Sequence, residues 1–282
     1  MELVGDLVAP YGVALRPDVS GGHSYGEMLA GLIGDLVVPS AEPVDALILG
    51  FAMPDVWPDR ATATYLSHVC PGSPLAFAVC DQGIAAGFTA LRLARDYAAS
   101  GACRRVLVAL AEQTRLDYDP PAPAPALASV PDRHAAFAML CEAGPLPAPA
   151  AGGPGGDGPP SLRAVRVLPG VPAAEVPGIL HRELAALSAE PGEEKRTLVL
   201  GQGLAGLTSG DAPDLQPVLD LPSVPDWGSV PGWRTVPLAP GQPLTGAWRE
   251  LAAWAALPDR GGLAIADYDP GLRYLCLAAF AR

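Results

Sequence analysis

Three observations predict an α/β fold. Short, almost wholly apolar runs recur along the chain, segments with helical apolar spacing alternate with them, and the same order of elements returns after a Pro/Gly-rich break. A short apolar run marks a strand buried on both faces, and strands alternating with helices imply a sheet covered by helices on both sides.

In order, Ser24 to Leu36 places Met28, Leu29, Leu32, Ile33 and Leu36 at helical spacing. Ser24, with Glu27 three residues on, forms a capping box for that helix. Val44 to Phe51 (VDALILGF) and Leu75 to Val79 (LAFAV) read as strands. Ile84 to Ala99 reads as a helix with few polar positions, hence a central one, and Gly101 stops it. Val106 to Ala111 and Ala135 to Cys141 are the next two strands. The second half repeats the order: a strand at Arg163 to Leu168, a helix at Val176 to Ala189 with Pro177 in its first turn, and a strand at Thr197 to Leu200. A helix at Leu244 to Leu257 and strands at Leu263 to Ala266 and Leu272 to Phe280 close it. Two halves of one order suggest a duplicated βαβαββ plan, carried by the elements and not by a sequence repeat.

Residues 143–161 are almost wholly Pro, Gly and Ala and read as an exposed linker between residues 1–142 and 162–282. Residues 208–242 carry seven prolines with Trp227 and Trp233, and read as a long ordered loop.

Composition excludes several classes. The chain has 282 residues, 50% apolar and only 17% charged, which is a globular and not a disordered balance. Its net charge of −12, with Lys195 the one lysine, lacks the basic footprint of a nucleic-acid or anionic-membrane binder. The five cysteines (Cys70, Cys80, Cys103, Cys141, Cys276) are odd in number and dispersed, as in a reduced cytoplasmic protein. The start has no basic region before an apolar one, and no apolar run approaches a membrane span.

The segment Pro74 to Glu112, with its short strand, central helix, closing Gly and RVLVALAE strand, resembles the nucleophile region of the thiolase superfamily, most of all ketoacyl-ACP synthase III. VDALILGFAMPD, Asp132 to Leu140 (DRHAAFAML), PGQPLTGAWRELAAW and GGLAIADYDPGLRYLCLAAF resemble further segments of that family, so the likeness covers most of the chain. It implies a thiolase-like fold of two related βαβαββ halves packed as a layered αβαβα core. It also implies a dimer, in which Leu75, Phe77 and Val79 lie on the pairing strand.

Condensing enzymes of this type use Cys, His and Asn: a thiolate that takes the acyl group, and two side chains that bind the thioester oxygen of the extender. By the resemblance, the nucleophile position falls on Gly83 or Ile84, the histidine position on Gly201 and the asparagine position on Gln242. The chain contains no asparagine at all, so it cannot supply the triad alone. It is similar to the catalytically silent subunit of two-chain synthase III-like enzymes of the alkylquinolone-forming type, which shares an Asp-Pro turn like Asp269-Pro270. That likeness implies a subunit that pairs with an active synthase III-like partner, or with itself, in specialised acyl or polyketide biosynthesis. Acyl-carrier protein or acyl-CoA would be its other contacts, and no cofactor is implied.

Cys80 is the candidate nucleophile for an alternative acyltransferase or condensing activity; a local bulge would swing it toward the helix N-terminus. The bland reading is a small buried strand-end residue. A third reading is a homodimeric acyl-thioester binder. His23, His68, His134 and His181 fall away from the family's histidine, and His68 with Cys70 is too few ligands for zinc. Gly201 to Gly206 (GQGLAG) matches GxGxxG, with Asp220 at a suggestive distance. A dinucleotide site there requires a helix directly after the glycines, and the prolines behind argue for a loop over the vacated site instead. Arg92, Arg95, Arg104 and Arg105 form the densest basic cluster, read either as a carrier-protein contact or as a solvated helix end.

Overall fold

The computed structural model describes residues 23–37, 42–57, 60–114, 131–144, 159–188, 196–209, 230–258 and 260–281. The chain forms two compact units, Met1–Gly144 and Pro145–Arg282. The first contains α1 (Tyr25–Val37), β1 (Ala46–Gly50), α2 (Thr62–Ser67), β2 (Leu75–Val79), α3 (Ala85–Ala99), β3 (Arg105–Glu112) and β4 (Ala135–Glu142). Its sheet has the order β2-β1-β3-β4, with β1 parallel to β2 and β3, and β4 antiparallel to β3.

The second unit contains β5 (Ser161–Leu168), α4 (Val176–Ser188), β6 (Arg196–Leu200), α5 (Gln202–Ser209), β7 (Arg234–Pro237), α6 (Gly246–Ala255), β8 (Gly262–Asp269) and β9 (Tyr274–Ala281). Its sheet runs β5-β9-β8-β6-β7, with β6 parallel to β7 and β8, and β9 antiparallel to β8. Placing β6, β7, β8 and β9 on β1, β2, β3 and β4 reproduces the order and every strand direction. The duplication expected from the element order is present in these four strands, and β5 has no counterpart among the described residues of the first unit.

Each unit has its own core. In the first, Leu107, Ala109 and Ala111 of β3 pack with Tyr25, Leu29 and Ile33 of α1 and Leu66 of α2. The alternate residues of β3 face the other way, toward α3. Both β1 and β3 are buried along their whole length, which is why they read as unbroken apolar runs. In the second unit, Leu180 and Leu184 of α4, Leu204 of α5, Leu198 and Leu200 of β6 and Tyr268 of β8 form one cluster. The Tyr268 hydroxyl donates to the Val171 carbonyl at 2.8 Å.

Local signals act as their chemistry requires. The Ser24 amide donates to Glu27 Oε2 at 2.8 Å, and the Glu27 amide to Ser24 Oγ at 3.1 Å, so the capping box forms. Asp55 accepts the Tyr25 amide at 3.1 Å and the Thr62 hydroxyl at 3.1 Å, tying α1 and α2 to the loop after β1. Gly101 ends α3 at φ 75°, where a side chain would be strained. Asp45, just before β1, accepts the amides of Arg104 at 2.6 Å and Arg105 at 2.9 Å and fixes the start of β3. Those two bonds hold its carboxyl below the usual carboxylate range.

Three expectations are corrected. Residues 208–242 are not one loop: α5 reaches Ser209, and β7 adds to β6 with Pro237 at the sheet edge, where its missing N–H costs nothing. The β8 strand runs on past Ala266 to Asp269, and Leu272 lies in the following turn, its amide donating to Asp269 Oδ1 at 2.9 Å. The short helix α2 had no sequence signal. Trp233 is ordered, its indole donating to Ser188 Oγ at 2.9 Å. Residues 145–158 of the linker, Trp227 and Asp220 lie outside the described residues. Among the described residues, no helix is long and apolar enough to cross a membrane.

Ser24→Ala removes the cap of α1 and is expected to lower stability by about 1 kcal/mol, read as a shift in the urea unfolding midpoint at unchanged slope.

Candidate functional site

In open α/β sheets, ligands bind beyond the C-terminal ends of the parallel strands. The sequence-predicted residues lie at such ends in both units. In the first, Cys80, Gly83 and Ile84 occupy the turn between β2 and α3. In the second, Gly201 follows β6 directly, Gln242 lies in the loop after β7, and β8 brings up Asp267, which sequence reasoning missed.

The turn after β2 is tight. Asp81 and Gly83 both adopt left-handed backbone, at φ 58° and 51°, and Ile84 precedes the first helical residue. Cys80 is exposed, not the buried strand-end residue of the bland reading. Its thiol lies 3.5 Å from Asp81 Oδ2. Partial burial of the sulfur pushes its pKa up, and the Asp81 carboxylate adds to the shift by charge and by accepting the S–H. A nucleophilic cysteine needs the opposite surroundings. Gln82 is occupied as well, its Oε1 accepting the buried Thr89 hydroxyl at 2.6 Å.

In the second unit, the position that resembles the family's histidine is closed to any side chain. A Cβ built on Gly201 would overlap the Asp267 carboxyl group and its own Cβ. One built on Gly203 would overlap the Tyr268 carbonyl. Here α5 approaches β8 so closely that only glycine fits at either place. Asp267 is 1% exposed. Its Oδ1 accepts three amides, from Tyr268 at 2.8 Å, Gly203 at 2.9 Å and Leu204 at 3.3 Å. Burial pushes this carboxyl up to about 7, against the downward pull of the three amides, and Asp269 adds a smaller upward push.

Gln242, at the asparagine position, is also engaged: its Oε1 accepts from Arg249 Nη1 at 2.8 Å. The loop that carries it is drawn beside Gly201 by two bonds, Leu238 N–H to the Leu200 carbonyl at 2.9 Å and Gln202 Nε2 to the Ala239 carbonyl at 3.0 Å.

The loop expected at Gly201 to Gly206 is instead a helix. A helix does follow the strand directly, as a dinucleotide site requires, because α5 starts at Gln202. Its N-terminal amides are already taken by Asp267, which holds the place a pyrophosphate oxygen would need.

The arginine cluster is not one free patch. Arg105 opens β3, is 9% exposed, and donates to Glu142 Oε1 at 3.0 Å and to the Glu42 carbonyl at 2.6 Å. Arg95 pairs with Asp96 at 2.8 Å. His68 ends α2, His134 precedes β4 and His181 lies in α4. Burial pushes the Cys70 thiol up to about 11. Among the described residues, no group of three or more His, Cys, Asp or Glu is placed to hold a metal ion.

No protein-family model matches the chain, and no curated protein matches it in sequence. Solved structures do. AbyA1, a tetronic acid condensing enzyme, aligns over 92% of this chain and 88% of its own at 16% identity and a TM-score of 0.58. The 3-oxoacyl-[acyl-carrier-protein] synthase III of Aquifex aeolicus aligns over 99% and 91% at 12% identity and a TM-score of 0.58. ChlB3, an acyltransferase, aligns over 98% and 89% at 17% identity and a TM-score of 0.56. The fold is thiolase-like, of the synthase III type, and its structural neighbours are condensing and acyl-transferring enzymes.

Gly201→Ala is expected to destabilise the protein by about 2–3 kcal/mol through overpacking against Asp267. Its cost should shrink markedly in an Asp267→Gly background. A double-mutant cycle in denaturant measures that coupling, and additive effects would contradict the contact.

Proposed function

We propose that this chain is a non-catalytic synthase III-like subunit that supports an active condensing partner in specialised acyl or polyketide biosynthesis. The observation that carries the reading is the Gly201–Asp267 contact. The volume for an imidazole is filled by a carboxyl group that is buried and engaged by backbone amides of its own unit, which leaves no room for a donor side chain at 201. The binding of Gln242 to Arg249 and the absence of asparagine from the chain point the same way.

Pairing is supported by the edges of the two sheets. β7 and β2 are topological equivalents, and both are edge strands among the described residues. β7 is four residues long, starts with Arg234 and ends in Pro237, the devices that discourage strand pairing. β2 (LAFAV) carries neither charge nor proline, and Leu75 at its start is 54% exposed. Such an edge invites a second chain, and the partner of this reading is an active synthase III-like subunit.

Co-expression with an active synthase III-like condensing enzyme from the same genome is expected to yield a stable 1:1 complex whose turnover needs the partner's cysteine. Leu75→Lys should weaken that complex by about tenfold or more while leaving the isolated chain's stability within about 0.5 kcal/mol. A self-sufficient homodimer with turnover overturns the reading; one that binds acyl-CoA without turnover points to the acyl-thioester binder.

An acyltransferase acting through Cys80 is the alternative, to which ChlB3 lends only a shared fold. Incubation with acyl-CoA or acyl-carrier protein is expected to leave the intact mass of the chain unchanged, since the thiol beside Asp81 stays protonated at neutral pH. An acyl adduct that disappears in Cys80→Ala would establish the alternative.

A further inference from the structure

We infer that a single bound water bridges the side chains of Gln113 and His134 and closes the open end of the β3–β4 pair. The inference does not depend on the pairing role.

The two residues stand one step beyond the last rung of that pair, Glu112 with Ala135. Alternation along each strand sets their side of the sheet. Gln113 follows Leu107, Ala109 and Ala111 in the row that packs with α1. His134 precedes Ala136, Ala138 and Leu140 in the facing row. A carboxamide and an imidazole thus end a seam that is otherwise aliphatic. Side chains opposite one another in an antiparallel pair stand about 5 Å apart at Cβ, a span that one water bridges.

Gln113 is 1% exposed. Its Nε2 donates to the Pro54 carbonyl at 2.7 Å, which fixes the orientation of the amide, since a carbonyl accepts only from the NH2 end. Oε1 is buried and has no hydrogen-bond partner among the described residues, and the same holds of His134 Nδ1. Buried polar atoms are satisfied by protein or by ordered water, and a water needs at least two polar partners to be held. Gln113 Oε1 can only accept, so the bridging group must donate. His134 Nδ1 donates in one tautomer and accepts in the other, and water serves both. An anion would be repelled by Oε1. A metal ion would find no group of three or more His, Cys, Asp or Glu among the described residues. Through Pro54 the bridge reaches the loop after β1, so it ties β1, β3 and β4 together at one end of the sheet.

Water–protein NOE and ROE spectra of the full chain, read at the carbon-bound Hε1 of His134 and Hγ of Gln113, test this. Cross-peaks to water of opposite sign in the two spectra, the mark of a held water, are expected at both positions. Gln113→Met is expected to abolish the one at His134. Wild-type spectra without these cross-peaks overturn the proposal. So does a His134 cross-peak that survives in Gln113→Met, which would assign it to another hydroxyl, or a coupling across a direct Nδ1–H to Oε1 bond. If Gln113→Met fails to fold, His134→Phe, read at Gln113 Hγ, takes its place with the same two outcomes.

Discussion

Strands buried along their whole length leave no room for an unpaired polar group, and β8 obeys that constraint at a cost. Gly262 to Asp269 are all buried, yet two of them are aspartates. A buried carboxyl needs donors, and Asp267 finds them in the first turn of α5 and in the amide of the next residue. Much of the second unit's arrangement at that end follows. α5 starts where it does because Asp267 caps it. The residues at 201 and 203 are glycines because the approach of α5 to β8 admits nothing larger.

The same constraint takes another form in the first unit. Asp45 accepts the first amides of β3 from just outside β1, and Asp55 anchors α1 and α2 from the loop beyond its other end. Neither sits where the site's chemistry would be. In the second unit the anchoring carboxyl, Asp267, stands against Gly201 at the C-terminal ends of the parallel strands and is engaged by backbone amides there. The Cys80 turn tells a related story. The backbone turns tightly at Asp81 and Gly83, yet partial burial and then the Asp81 carboxylate push the thiol's pKa up, opposite to what a nucleophile needs.

Most of the scaffold was legible in the sequence because its signals are local. The apolar runs of β1, β2 and β3, the Ser24–Glu27 box and Gly101 each act within a few residues of themselves. The absence of asparagine needs no geometry to be read, whereas the close packing of Gly201 against Asp267 is visible only in the folded chain. α5 was not legible: three glycines and the prolines behind them argue against a helix, and its cap comes from Asp267, more than sixty residues on. β8 was read as ending at Ala266 because Asp267 breaks the apolar run, so the one residue that explains the closed site was cut off from its strand. β7 was hidden among prolines because its pairing with β6 is non-local.

The close approach of α5 to β8 also ties two distant positions together. A side chain at 201 cannot enter by one substitution without overlap, because Asp267 stands in its volume. Removing Asp267 first takes their acceptor from the amides of Gly203 and Leu204. Residues 201 and 267 therefore change only at a cost in folding energy that each sets for the other.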